Sequence, residues 1–422
     1  MHPILLKIPL GAGVTLPFFG KLTSLPIYSY GVMLGLSIVV GWYLTLGLAK
    51  RDGLPEEEMA NNYVFTAVMA ILGSRVLYVL TNPDDFATAA DWFAFRKGGL
   101  VAYGGFLGGF LGSYLYLKRK RLPLLPWGDV AVPSLATGLM ITRIGCYLFG
   151  CDFGRTLSPS APGFLKKLGT FPRWQDGTLD AGSGSPAWVQ HTQAHLIPPD
   201  AAHSLPVHPT QLYESLVGLT LFGLVMFQRK HQRFRGQVFL LFTFAYGVLR
   251  YGLEIIRDDA ERGNYGPSWP EHVMVPGGLV VLGLAYAVFM SRAVENKALR
   301  AATQALALVP GVALYVALKP ATFAGEALVK LSTSQWVALL TGTAAAVAYG
   351  MFWNSAKAHP TRAMALDLSG FHELSGAVPE VAAEAEEPKK KQKKRAKSAE
   401  SSEEVKPDAP ARDEDRPATE AG

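Results

Sequence analysis

The sequence predicts an all-α fold, a polytopic bundle of transmembrane helices carrying a small head on one side of the membrane. Three observations lead there. Hydrophobic residues fill 49% of the 422 positions and charged residues only 18%. The charges crowd beyond residue 356, so the body of the chain is more apolar than the average. Uncharged apolar runs recur at about 18–20 residues, the length that crosses a hydrocarbon core. In lipid every backbone polar group must be satisfied within the protein, which leaves helices or a closed barrel. The alternating segments of about ten residues that build a barrel are absent, so the runs are helices.

Nine spans follow in order, at 31–49, 62–81, 99–117, 128–149, 211–227, 237–256, 271–290, 303–319 and 335–353. The first seven form the core. In the third, Gly104, Gly108 and Gly112 make one ridge of small residues and Gly105, Gly109 and Ser113 another, a pattern that lets helices approach closely in lipid. The eighth is short and contains Pro310, so it reads either as a crossing or as a re-entrant segment. With the ninth it makes an accessory pair. The chain thus divides into an arm at 1–25, a bundle at 26–292 with a head loop at 151–209, the accessory pair at 293–355, and a tail at 356–422. The tail is built from Ala, Glu, Lys and Pro, cannot bury a core, and is expected to be disordered.

Basic residues in short loops set the orientation. Lys50–Arg51, the run from Lys118 to Arg121, the run from Arg229 to Arg235, and Arg292, Lys297 and Arg300 fall in every second loop, which places those loops in the cytoplasm. The N-terminus is then outside and the C-terminus inside, in keeping with "KKKQKKRAK" from Lys389. The start, "MHPILLKIPLGAGVTLP", lacks the basic region, continuous apolar core and small-residue cleavage site of a cleavable signal peptide. Net charge +6 follows from this topology and the tail, and nothing points to nucleic-acid readout.

Charge inside or at the end of a transmembrane helix is costly and marks a functional candidate. On the sixth span Tyr246, Arg250, Glu254 and Arg257 recur at intervals that put them on one helix face. Arg250 and Glu254 either pair with each other and snorkel outward or serve a site. Arg143 sits in apolar sequence near the outer end of the fourth span, among Gly145, Gly150 and Gly154. Tyr103 stands at the outer end of the third. Two arginines reaching one membrane level suit the oxygens of a phosphate, and the phosphate native to a membrane is a phospholipid headgroup.

His191, His195, His203 and His208 lie in the head loop, yet their Gly, Pro and Ser surroundings lack a metal-ligand arrangement, and neither metal nor cofactor is expected. A phosphatidyltransferase using nucleotide-activated lipid would need an aspartate cluster for a divalent ion, and the spans offer none. Trp174 and Trp188 are expected on a head surface that meets a partner polypeptide. Cys146 and Cys151 are the only cysteines. A continuous helix would turn them about 500° apart, so they read as inert packing residues, as a reactive thiol, or as a disulfide formed only if the segment unwinds.

In order, "SYGVMLG" at 29, "GSRVLYVL" at 73, "YGGFLGG" at 103, "RIGCYLFGCDFGR" at 143, "HPTQLYES" at 208 and "YGVLRYGLEIIR" at 246 resemble the prolipoprotein diacylglyceryl transferase family over roughly residues 26–290. The resemblance implies a seven-span bundle with a periplasmic head in the bacterial inner membrane. It implies transfer of the diacylglyceryl group of phosphatidylglycerol to the lipobox cysteine thiol of prolipoprotein signal peptides, with release of glycerol phosphate. Arg143 and Arg250 then hold the phosphate, and Tyr103 joins them as a catalytic candidate. Tyr30 and Tyr246 line the lipid cavity, Gly104, Gly105, Gly154 and Glu254 belong to the substrate site, and His208 and Gln211 tie the head to the bundle beside it. The chain departs from the family at three points. Tyr103 stands where a histidine is common, Cys146 replaces an asparagine, and Cys151 with Asp152 stands where a glutamate is usual. A phenol near pKa 10 is a poor base for a thiol near 8.5, so the alternative is a paralogue that binds phospholipid or lipoprotein without transfer.

Overall fold

The computed structural model describes residues 2–16, 20–83, 92, 99, 101–174, 184–258, 263–320 and 328–375. An antiparallel ribbon of β1 (Ile4–Leu16) and β2 (Gly20–Tyr28) opens the chain, and the Ser29 amide and hydroxyl both donate to the Pro3 carbonyl where it meets the first helix. The first four long helices are α1 (Ser29–Arg51), α2 (Glu56–Thr81), α3 (Ala102–Arg119) and α4 (Leu124–Phe149). Two short helices, α5 (Gly163–Leu168) and α6 (Pro186–Gln193), belong to the head. Then come α7 (Thr210–Lys230), α8 (Gln237–Glu254), the strand β3 (Asn264–Pro270), and α9 (Glu271–Ala285), which continues as a π turn and a 3-10 turn to Ala293. The chain goes on through α10 (Lys297–Leu318), β4 (Leu328–Ser332), α11 (Thr333–Ala358) and α12 (Pro360–Met364).

Each expected span is a helix, and seven of these helices are long and apolar enough to cross a membrane. The two not among those seven, α3 and α8, are 18 residues each and carry the glycine ridges and the Arg250–Glu254 pair. The all-α expectation holds, with two ribbons added, because β3 pairs antiparallel with β4 at the foot of α11. Helix α10 runs unbroken through Pro310 and is long and apolar enough to cross a membrane. Proline is tolerated within membrane helices where neighbours satisfy the freed carbonyl.

Small residues position the helices. A Cβ on Gly104 would lie 2.3 Å from the Gly73 carbonyl oxygen, and one on Gly108 would lie 2.4 Å from that of Met69, so α2 and α3 touch backbone to backbone. Gly218 brings α7 equally close to Met140 on α4. The buried core runs from Phe234 and Tyr251 on the α8 side through Leu282 on α9 to Ala345, Tyr349 and Trp353 on α11. Away from the functional residues, Asp52 binds Arg229 at 2.8 Å and Arg235 at 3.3 Å. Beside them Asp129 accepts from the amides of Gly236 and Phe239 at 2.6 and 2.9 Å, which caps the start of α8.

Lys120–Leu122 and Asp367–Gly422 form a separate unit, whose described helix is α13 (Ser369–Ser375). The tail expected from 356 is therefore helical in α12 and α13, and its remainder from 376 lies outside the described residues.

Candidate functional site

Helix α4 stops because Gly150 takes a left-handed conformation (φ 90°) and its amide returns to the Cys146 carbonyl at 2.7 Å. Asp152 follows with φ 56°, a conformation that aspartate tolerates better than most residues. The turn directs the Asp152 carboxylate back over the end of α4, where Oδ2 meets Arg143 Nη1 at 2.6 Å and Oδ1 meets Arg257 Nη2 at 2.6 Å. Arg143 also pairs through Nε with Glu214 of α7. The other oxygen of Glu214 pairs with Arg250 Nη1. Arg250 Nη2 reaches Glu254 at 3.0 Å, and Glu254 lies 3.9 Å from Arg257.

The result is a closed ring of alternating sign, Arg143, Asp152, Arg257, Glu254, Arg250, Glu214 and back to Arg143. Its three guanidinium groups balance its three carboxylates. Glu214 and Glu254 are 4% and 1% exposed at their side chains and the arginines at most 18%, so solvent does little to screen the ring. Arg143 thus meets a carboxylate through Nη1 and another through Nε. Arg250 does not snorkel outward. It turns into the bundle toward α7, as a charge that could not reach water would have to.

Tyr103 joins the ring through Ser334 at the start of α11. The Tyr103 hydroxyl donates to Ser334 Oγ at 2.5 Å, and Arg250 Nη2 donates to the same oxygen at 3.0 Å. Tyr246 lies in the field of Arg250, Glu214, Arg143 and Arg257, and Tyr30 in that of Arg143 and Asp152. Gly145 lets Tyr30 sit against α4, since a Cβ there would come 3.2 Å from the Tyr30 Cα.

Gly154 stitches three segments together. Its amide donates to His208 at 3.0 Å, it bridges to Arg257, and a Cβ would stand 2.6 Å from the Ile256 carbonyl oxygen. Gln211 Nε2 donates to the Cys151 carbonyl at 2.5 Å and Thr210 Oγ1 to that of Asp152 at 2.5 Å, so the α7 start fixes the backbone that carries Asp152. His208 lies beside Tyr213, with Nδ1 3.3 Å from the hydroxyl. Gln211 and His208 thus brace the head against the bundle.

Some expectations change. Gly104 and Gly105 face α2, against Gly73 and Ser74, because their missing side chains are what allow the two helices to meet. Trp174 and Trp188 are 8% and 5% exposed, and Trp188 Nε1 donates to the Ala201 carbonyl at 2.7 Å, so both serve the interior of the head and not its surface. His191 is also internal, accepting the Leu205 amide at 3.2 Å. The Gly150 turn brings both sulfurs within 4.8 Å of each other and of an Asp152 oxygen, and both cysteines are free. That trio does not suit a cation, because both oxygens of Asp152 already serve guanidinium groups. Arg257, read on one face with Arg250 and Glu254, takes its place in the ring; Glu214 and Ser334 were not among the candidates, although Glu214 stands inside a quoted motif, while Ser334 carries no signal of its own.

A family model described as prolipoprotein diacylglyceryl transferase matches residues 17–294, which contain the whole charged ring. The chain belongs to the prolipoprotein diacylglyceryl transferase family. Among similar proteins is the phosphatidylglycerol–prolipoprotein diacylglyceryl transferase of Clostridium tetani, 31% identical over 59% of this chain and 87% of the relative. Those of Thermus thermophilus (32%, covering 56% and 81%) and Neisseria meningitidis (31%, covering 59% and 88%) are alike in extent. Within the diacylglyceryl transferase family frame, α1 to α9 form the shared bundle. Helices α10 and α11, with Ser334, lie beyond the matched residues.

Proposed function

We propose that the chain transfers the diacylglyceryl group of phosphatidylglycerol to the lipobox cysteine thiol of prolipoprotein signal peptides in a bacterial inner membrane, with the N-terminus periplasmic and the C-terminus cytoplasmic. The observation that carries this reading is the sharing of one buried carboxylate, Glu214, by Arg143 and Arg250 from two helices, next to Tyr103, in a chain of this family. The thiol sulfur forms a bond to the terminal glyceryl carbon of the lipid while the bond from that carbon to the phosphate oxygen breaks. The electron pair leaves with glycerol phosphate.

Charge grows on the departing phosphate oxygen, and guanidinium donors fixed before the reaction stabilise it without reorganising. The phosphate displaces Glu214, and Arg143 and Arg250, which share that carboxylate, turn their donors to it. A carboxylate freed in this way is a better acceptor for the thiol proton than Tyr103, whose unperturbed pKa is near 10. Tyr30 and Tyr246 flank the acyl chains, and surrounding membrane lipids supply both substrate and solvent. The test is complementation of a bacterium depleted of its own diacylglyceryl transferase, read as lipid on a model lipoprotein. Lipidation is expected. A correctly inserted chain that leaves the lipoprotein unmodified would overturn the reading and identify a binder without transfer.

A further inference from the structure

Ser334 belongs to a part of the chain that the family match does not reach, yet it touches two groups of the site. Its position is held from several sides. Ser332 caps α11 by accepting the Gln335 amide at 3.2 Å, and the Gln335 side chain accepts the Ser332 amide at 2.9 Å. The β3–β4 ribbon pairs Asn264 with Ser332 immediately before that cap. Along the antiparallel contact of α8 and α11, a Cβ on Gly247 would lie 3.0 Å from the Ala338 carbonyl oxygen and 3.3 Å from the Gly342 Cα. Farther along, Gln237 Nε2 donates to the Tyr349 hydroxyl at 2.8 Å. The register that places Ser334 opposite Arg250 is therefore set over the length of both helices.

A serine hydroxyl has two acceptor lone pairs and one proton. Here the lone pairs receive the Tyr103 hydroxyl and Arg250 Nη2. The Tyr103 proton is committed to Ser334, so the phenol oxygen turns a lone pair, and not a proton, toward the site. Such an oxygen can accept a hydrogen bond from an incoming thiol and orient it. The same serine anchors Arg250 when a phosphate takes the place of Glu214.

We infer that Ser334 is a positioning residue of the transfer reaction, fixing Tyr103 as an acceptor toward the thiol and Arg250 toward the phosphate, so that the C-terminal helix pair completes the site. The inference rests on the diacylglyceryl transfer reading. It is tested with the full chain in phosphatidylglycerol vesicles and a synthetic lipobox peptide. Ser334→Ala is expected to lower kcat by about 10- to 100-fold, the scale of a misplaced reacting group, with little change in KM for the lipid. Ser334→Thr, which keeps the hydroxyl, is expected to recover most of the rate. In a Tyr103→Phe background, Ser334→Ala is expected to cost much less than it does alone, because part of its effect passes through Tyr103.

An active wild-type chain overturns the inference in any of three ways: a normal rate for Ser334→Ala, no recovery by Ser334→Thr, or losses from the alanine and phenylalanine changes that simply multiply. A wild-type chain without transfer in this assay and in complementation overturns the functional reading, and the inference with it.

Discussion

Arg143 makes two carboxylate contacts at once, with Asp152 and Glu214, and both depend on the planar fork of the guanidinium. Arg143→Lys keeps the charge but supplies one point donor, so transfer to a lipobox peptide is expected to fall by about 10²–10³-fold, the usual cost of an electrostatic donor at the reacting centre. Glu214→Gln leaves Arg143 and Arg250 buried with less compensation. A loss of about 3–5 kcal/mol is expected, the scale of breaking a buried pair, visible as a lower melting temperature in detergent. Charge in apolar sequence is conspicuous, and Arg143, Arg250 and Glu254 were legible for that reason. Glu214 was less so, since a carboxylate near a helix start has an ordinary explanation in the helix dipole. Ser334 was invisible, because a serine at a helix start is common and its partners are remote in sequence.

At the scale of elements, the turn from Gly150 to Gly154 converts the end of α4 into a wall of the site. Gly154→Ala would press a methyl group onto the Ile256 carbonyl and His208. Overpacking of this kind costs about 1–3 kcal/mol, and here it would move Asp152 away from Arg257; a protease-sensitive head and reduced transfer are the expected readouts. The head has its own pH dependence. Burial pushes the His191 imidazole below its ordinary value, against the opposing pull of Asp258. Folding therefore favours the neutral ring, so the stability it contributes is present above about pH 6.5 and is lost as the pH falls below that value. Thermal melting or hydrogen exchange of the head from pH 8 to 5 is expected to show the loss, and His191→Gln to flatten it. Sequence reading found this loop but mistook its tryptophans for surface residues, since an aromatic in a polar loop can face either way until its hydrogen-bond partner is known.

For the whole molecule, the nine helices were legible from hydropathy and length because lipid leaves the backbone so few choices. The ribbons at the N-terminus and at the foot of α11 were not, since short strands among Gly and Pro give no clear period. Nor could spacing alone reveal that α11 packs on α8, a contact carried by Gly247, Ala338 and Gly342. The orientation set by the basic loops is testable in a Cys146→Ser, Cys151→Ser background. A His2→Cys variant is expected to react with a membrane-impermeant thiol reagent in spheroplasts, and Ser398→Cys only after the membrane is opened.

The alternating ring also bears on how a turnover ends. Asp152, Glu214 and Glu254 are rivals of the substrate phosphate, already seated on the arginines. A lipid phosphate competes with them because its acyl chains hold it at the site, whereas free glycerol phosphate has no such tether. On the proposed reaction, once the bond to the glyceryl carbon is cut, Asp152 and Glu254, and Glu214 after it passes on the thiol proton, are expected to reclaim their arginines and release the product. On that proposal the charges that make the empty site stable double as its ejector.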